Sequence, residues 1–332
     1  FIGIVFVFLY AMFQALMRGI GETRLPLLIV SGTVLLNFGL DPLFIFGLGA
    51  VPGQGVTGAA LATLVTQALA ALLGMIILLA GRHGIELSWR GLVPDLPYIK
   101  RAFLLGFPGS VELSTRGLGL VVMSFLVASF GTLTTAAYGV GSTILQVVTI
   151  PAMGLSMAVS TLVGQNMGAG NIQRASRIAL LGIALGFAVL TLVGVLAFAF
   201  APSIVAFFVP GDPDVIAEGA RFIRIMCLAW GGMGVQLSVV AAFRASGNML
   251  MAMVIALVAQ FMIQFPLAYV LSKHTLLHAD GLWWSFPVTN ILVALVSLGW
   301  FARGSWKTKL LTEEDIETAK VADETIIEEG IR

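Results

Sequence analysis

The sequence predicts an all-helical polytopic membrane protein, and three observations predict it. Of the 332 residues, 58% are apolar and only 11% charged, with a mean hydropathy of +1.01; a water-facing globular surface takes about a quarter charged residues. The apolar residues gather into nine stretches near the roughly 20 residues that a membrane-crossing helix needs. These run 1–17, 27–48, 57–81, 102–129, 134–163, 178–208, 216–243, 249–272 and 281–302. The stretches do not alternate apolar and polar residues over about ten positions, as barrel strands do. A single cysteine, Cys227, leaves no disulfide framework or thiolate metal cluster. Soluble enzymes and secreted stapled domains are excluded on these grounds, and no nucleic-acid partner is expected.

Turn-forming segments separate the stretches, among them 18–26, 51–55 and Gly211-Asp-Pro-Asp214. The basic residues alternate sides. Arg18 and Arg24, then Arg82, Arg90, Lys100 and Arg101, then Arg174 and Arg177, then Arg244, then the tail from Arg303 fall on one side; only Lys273 falls on the other, and Arg116, Arg221 and Arg224 lie within stretches. By the positive-inside rule that side is cytoplasmic, so a multi-pass cell-membrane protein with a cytoplasmic C-terminus is expected. Residues 1–310 hold 16 Lys/Arg against 9 Asp/Glu, while eight acids crowd residues 313–332. The tail, 304–332, is thus an acidic segment whose Thr312-Glu-Glu-Asp315 could cap a helix.

A repeat appears at an offset of 226 residues. Arg18-x-x-Gly21 recurs as Arg244-x-x-Gly247, Ala15 as Ala241, Gly55 as Gly281 and Thr63 as Thr289. The offset spans six stretches, an even number of crossings, so the copies share orientation, as in parallel-repeat transporters. One copy begins near 102, so its partner would begin about 120 residues before Phe1. The expected domains are 1–81 as the remainder of an amino-terminal lobe, 82–101 as a cytoplasmic link holding Trp89 and Tyr98, and 102–303 as a carboxy-terminal lobe.

Four segments carry a family resemblance: Arg18-Gly-Ile-Gly-Glu-Thr-Arg-Leu-Pro26, the run from Asn37 through Asp41 to Gly47, Gly55-Val-x-Gly-Ala-Ala-Leu-Ala-Thr63, and Val163-Gly-Gln-Asn-Met-Gly-Ala-Gly170. Together they resemble the MATE (multidrug and toxic compound extrusion) family over residues 1–303. The resemblance implies a two-lobe bundle of six plus six helices, of which this chain would hold the fourth onward. It implies a secondary-active antiporter, not an enzyme, exchanging H+ or Na+ for amphipathic organic cations, needing no cofactor beyond that ion and working as a monomer among membrane lipids. No Gly-x-x-x-x-Gly-Lys-Ser/Thr phosphate loop is present. Alternatives are a flippase of related fold for lipid-linked phosphates, which would show a cationic cavity, and a fragment inactive by itself.

A charge at membrane depth costs about 2.5–3.5 kcal/mol on insertion scales. Asp41 lies about 14 residues into its stretch, one turn after Asn37 and on the same helix face. An amide oxygen beside a carboxylate offers hard oxygen ligands to Na+, and a carboxylate in a dry site favours taking up H+. In the resemblance, Asn37, Asp41 and Thr63 match a cation site of the amino-terminal lobe whose remaining Asp would precede Phe1. The other reading gives Asp41, just before Pro42, a structural hydrogen bond only. Glu112 and Arg116 sit four residues apart; they form an ion pair, or Glu112 is a switchable carboxylate. In one branch of the family this chain resembles, a coupling Glu sits on this helix about one turn later, and an Asp stands where Met233 does here.

Gln67, Gln146, Gln236, Gln260, Gln264 and Asn290 either line a cavity or bond between helices. Thirteen Met and 22 Phe suit a plastic aromatic-binding pocket or plain packing. Gly164, Gln165, Gly168 and Gly170 end a helix and reverse the chain, a structural or gating motif like Arg18 and Gly21. Pro108, Pro151, Pro266 and Pro287 are candidate bend points. His274, His278 and Asp280 read as a surface loop, and no metal site is expected.

Overall fold

The computed structural model of the chain describes residues 2–48, 51–81 and 94–307. Arg82, Trp89 and Arg90 of the expected link, and tail residues 308–332 with the Thr312 cap, lie outside them. The chain divides into two compact units, Phe1–Leu96 and Pro97–Arg332. The described residues are helical but for a short hairpin and connecting turns.

Unit 1 contains α1 (Ile2–Gly19), α2 (Arg24–Phe46), a hairpin of β1 (Gly47–Leu48) and β2 (Val51–Pro52), and α3 (Val56–Ala80). The turn after α1 is a glycine termination. Gly21 adopts φ 84°, its N–H donates to the Arg18 carbonyl at 3.0 Å, and the Glu22 N–H donates to the Met17 carbonyl at 2.9 Å. Left-handed backbone is cheap only for glycine. The Glu22 carboxylate then accepts from the Arg24 and Leu25 N–H groups, capping α2. Phe13, Met17 and Leu78 form a small core, and Gly74 makes room for the Phe13 ring between α1 and α3.

Unit 2 contains α4 (Leu96–Ala128), α5 (Thr132–Gly168), α6 (Ile172–Phe208), α7 (Pro213–Cys227), α8 (Trp230–Ala245), α9 (Met249–Leu257), a π-helical segment (Val258–Gln264), α10 (Phe265–Lys273), α11 (Ala279–Ala302) and a terminal 3-10 turn (Ser305–Lys307). Residues 96–101 of the expected link are the first turns of α4, where Pro97 suits a helix start. Two apolar clusters fill the unit, one around Tyr138, Phe222, Trp230 and Trp283, the other around Phe243, Phe301 and Trp306. Gly186 of α6 and Gly234 of α8 meet backbone to backbone: a Cβ on either would strike the other's carbonyl. Lipid offers no hydrophobic drive between helices, so such close approach supplies the packing.

Among the described residues, seven helices are long and apolar enough to cross a membrane, with α9, the π segment and α10 counted as one. The stretch expected over 216–243 is α7 plus α8, bent by 51°, and the first stretch is a shorter apolar helix, Gly3–Gly19. All nine expected stretches are thus helical; seven of them, or eight if the bent pair is one crossing, reach the length and apolar character of a span among the described residues. The bend points also differ. Pro108, Pro151 and Pro287 sit inside unbroken helices, and the interior break among the described helices is at Phe200 of α6 (φ −104°, ψ 15°), two residues before Pro202. Pro202 has no N–H to give, so the preceding turn opens.

Candidate functional site

In unit 1, Asn37 and Asp41 share one face of α2, as their spacing predicts, and the Asn37 amide donates to Asp41 Oδ1 at 3.4 Å. The Thr63 hydroxyl donates to the Ala59 carbonyl at 3.1 Å. Asn37 and Thr63 both line a cavity of about 350 Å³, together with Tyr10, Gln14, Thr66 and Gln67. Asp41 lies one turn beyond Asn37 and is not among the lining residues. The α2 helix continues through Pro42 to Phe46, so Asp41 is within the helix and half-buried. Tyr10 and Gln14 escape sequence reasoning because nothing in α1 distinguishes its inward polar residues from its others.

Unit 2 holds a larger cavity of about 470 Å³, lined by Arg116, Gln146, Gln236, Gln260, Gln264 and Asn290 among others. The two cavities repeat the same plan. Val7 and Tyr10 of α1 correspond to Met233 and Gln236 of α8, and Val30, Thr33 and Val34 of α2 to Ala256, Ala259 and Gln260, all 226 residues apart and all cavity-lining. Beyond the π segment the offset becomes 227: Asn37 corresponds to Gln264. A π-bulge is an inserted residue within an α-helix, and it accounts for the shift. On the last helix Thr63, Thr66, Gln67 and Ala70 line one cavity and Phe286, Thr289, Asn290 and Val293 the other, now 223 apart.

This corrects two pairings of the sequence repeat. Thr289 is the counterpart of Thr66, not of Thr63. Gly281 is the counterpart of Gly58, not of Gly55: Gly281 lies against the Leu271 backbone as Gly58 lies against the Phe44 backbone, whereas Gly55 has φ 56° ahead of α3. The connection between α10 and α11 is shorter than that between α2 and α3, which moves the register. The Arg18 and Arg244 turns do match. Gly247 adopts φ 73°, its N–H donates to the Arg244 carbonyl at 3.0 Å and the Asn248 N–H to the Phe243 carbonyl at 2.8 Å. The same pattern ends α5 at Gly170, φ 73°, where the Asn171 N–H donates to the Asn166 carbonyl at 2.8 Å. A Cβ on Gly164 would meet Ala245 at 3.8 Å, and one on Gly168 would meet nothing. The Gln165 carbonyl accepts from the Ala169 N–H at 3.1 Å.

Glu112 is wholly buried, 0% exposed. Arg116 approaches its Oε1 at 3.4 Å, the pair that sequence spacing predicts. The closer partner is Arg244, which sequence alternation assigns to a loop: it lies in the last turn of α8 and grips both oxygens, Nη2 to Oε1 at 2.5 Å and Nε to Oε2 at 3.2 Å. A bidentate guanidinium satisfies a carboxylate that burial would otherwise leave costly. The other arginines within the expected stretches, Arg221 and Arg224, are exposed and also have partners. Arg221 pairs with Asp280 at the start of α11, and Arg224 donates to the Phe198 carbonyl at 3.5 Å. Thus Asp280 serves Arg221, while the His274 ring packs on Tyr269 and His278 precedes α11 with φ 47°.

The MatE family model matches residues 110–270. The probable multidrug resistance protein NorM of Thermotoga maritima is 28% identical over 309 residues, covering 92% of this chain and 66% of its own length. The FAD transporter of Shewanella oneidensis is 27% identical over 279 residues, covering 84% of this chain and 61% of its own. The chain thus spans about two thirds of the length of these relatives. A solved structure described as the outward-facing conformation of a multidrug resistance MATE family transporter superposes with a TM-score of 0.83, at 21% identity, over 91% of this chain and 67% of that one.

Proposed function

We propose that the chain, which is similar to the MATE family over residues 110–270, is a secondary-active exporter, exchanging H+ or Na+ for small amphipathic organic molecules by alternating access. The observation that carries the coupling is the Asn37–Asp41 pair on α2, with Asn37 and Thr63 lining one cavity. Asp41 is a carboxylate with its neighbouring amide already in hydrogen-bond contact, half-buried in a membrane-depth helix. Binding H+ or Na+ there removes a negative charge from a low-dielectric setting, and the energy of such a change is large enough to bias one helix packing over another. With the cation bound, the protein releases its cargo; with the cation gone, it reloads.

The resemblance supports amphipathic organic cations as the first cargo to try, and the relative that carries FAD, itself an anion, supports a wider range. The distribution of Lys and Arg supports a cytoplasmic C-terminus. The test is ion-driven uptake of a fluorescent dye into proteoliposomes containing the purified protein. Asp41→Asn is expected to reduce gradient-driven transport at least tenfold without lowering the melting temperature, and Asn37→Ala by a smaller factor. Undiminished transport in Asp41→Asn would remove that carboxylate from the mechanism.

A further inference from the structure

The second cavity does not repeat the charge of the first. At the place where α2 carries Asp41, α10 carries Ala268, by the 227-residue register that pairs Asn37 with Gln264. In its stead, α4 brings in a guanidinium. We propose that the unit 2 cavity binds an amphipathic aromatic anion. This deepens the exporter reading and rests on it only in making the bound molecule the cargo.

The charge balance carries the inference. Glu112 is buried and held on both oxygens by Arg244, whereas Arg116 reaches only one of them, at 3.4 Å. One carboxylate and two guanidinium groups leave one positive charge. Arg116 brings it to the cavity: its side chain is 40% exposed and it lines the wall. Among the described residues that line this cavity it is the one charged side chain. A cationic guest would face that guanidinium with no free carboxylate to offset it, while an anion would find a charge-assisted donor in a low-dielectric setting, where such bonds are strongest.

The remaining lining fits the same guest. The amides of Gln146, Gln236, Gln260 and Gln264 supply further donors. Thr289, a 3% exposed residue of the lining, has a hydroxyl with no hydrogen-bond partner among the described residues. Tyr138 and Phe286 present rings, and Met123, Met153, Met226 and Met233 present pliant thioethers, the surface that accepts a flat aromatic body. A volume of about 470 Å³ is that of a drug-sized site.

Fluorescein and rhodamine 123 share a xanthene ring and differ in charge, so they separate charge from shape. Binding of each to the full chain in lipid nanodiscs is measured by fluorescence anisotropy at pH 8 with no ion gradient. Fluorescein is expected to bind about tenfold or more tightly than rhodamine 123. Arg116→Gln should weaken fluorescein about tenfold, with Glu112 still held by Arg244, while Arg116→Lys keeps most of the affinity. Met233→Asp, which puts a carboxylate into the wall, should move the preference towards rhodamine 123 and tests the idea should Arg116→Gln fail to fold. Equal or tighter binding of rhodamine 123 by the native chain overturns the proposal, as does fluorescein binding untouched in a folded Arg116→Gln, or no binding of either dye to a chain that melts cooperatively. Because no gradient is applied, these results are independent of ion coupling: tight rhodamine 123 binding with intact ion-driven export would sink the anion and leave the exporter standing.

Discussion

At Glu112 a single side chain gathers most of the buried charge of unit 2. Its spacing from Arg116 is legible in the sequence because i,i+4 neighbours share a helix face. Arg244 is not legible as a partner, since it stands 132 residues away and, at the end of an apolar stretch, looks like one more loop cation. The two arginines should therefore behave differently. Arg244→Gln strips the bidentate partner from a wholly buried carboxylate and is expected to cost about 3 kcal/mol or more, lowering the melting temperature of the purified protein by roughly 10 °C. Arg116→Gln leaves that grip in place and should shift melting by only a few degrees. Equal losses in a thermal melt would mean that the charge is shared and not held by Arg244. The acid–amide pair of Asn37 and Asp41 was readable for the same reason as Glu112 with Arg116, whereas its distance from the cavity wall depends on helix rotation that spacing alone does not fix.

Helices whose ends are marked by glycine are the most legible elements. Gly21, Gly170 and Gly247 each stop a helix with the same pair of backbone hydrogen bonds, and a left-handed turn leaves a plain trace in sequence. Gly247→Ala is expected to cost about 1 kcal/mol, visible as a small fall in melting temperature with transport retained. Where α6 crosses α8 the outcome should be far harsher. Gly234→Val drives two methyl groups into the Gly186 carbonyl, so overpacking of about 3 kcal/mol or more is expected, seen as loss of monodisperse protein in size-exclusion chromatography; a normal elution profile would refute the crossing. Sequence reading misses the bend between α7 and α8, where apolar composition stays continuous, and the break at Phe200, which Pro202 two residues on marks within an otherwise continuous apolar run. It also misses the π segment. One extra residue inside an apolar run leaves no compositional mark, yet it moves the repeat from 226 to 227, and the shorter connection before α11 moves it again to 223.

The chain carries two cavities built on one plan with different chemistry, an acid beside the first and a guanidinium in the wall of the second. Duplication explains the shared plan, and the divergence explains why a fixed sequence offset pairs some of the wrong residues. We propose that an ion gradient, and not ATP, drives export through this fold. It is tested most directly by dye efflux from cells expressing the gene that encodes this chain, with the proton gradient and the sodium gradient collapsed by separate ionophores. Loss of efflux on collapse of one of them, with cellular ATP held constant, is the predicted result; efflux that persists when both gradients are gone would contradict the account.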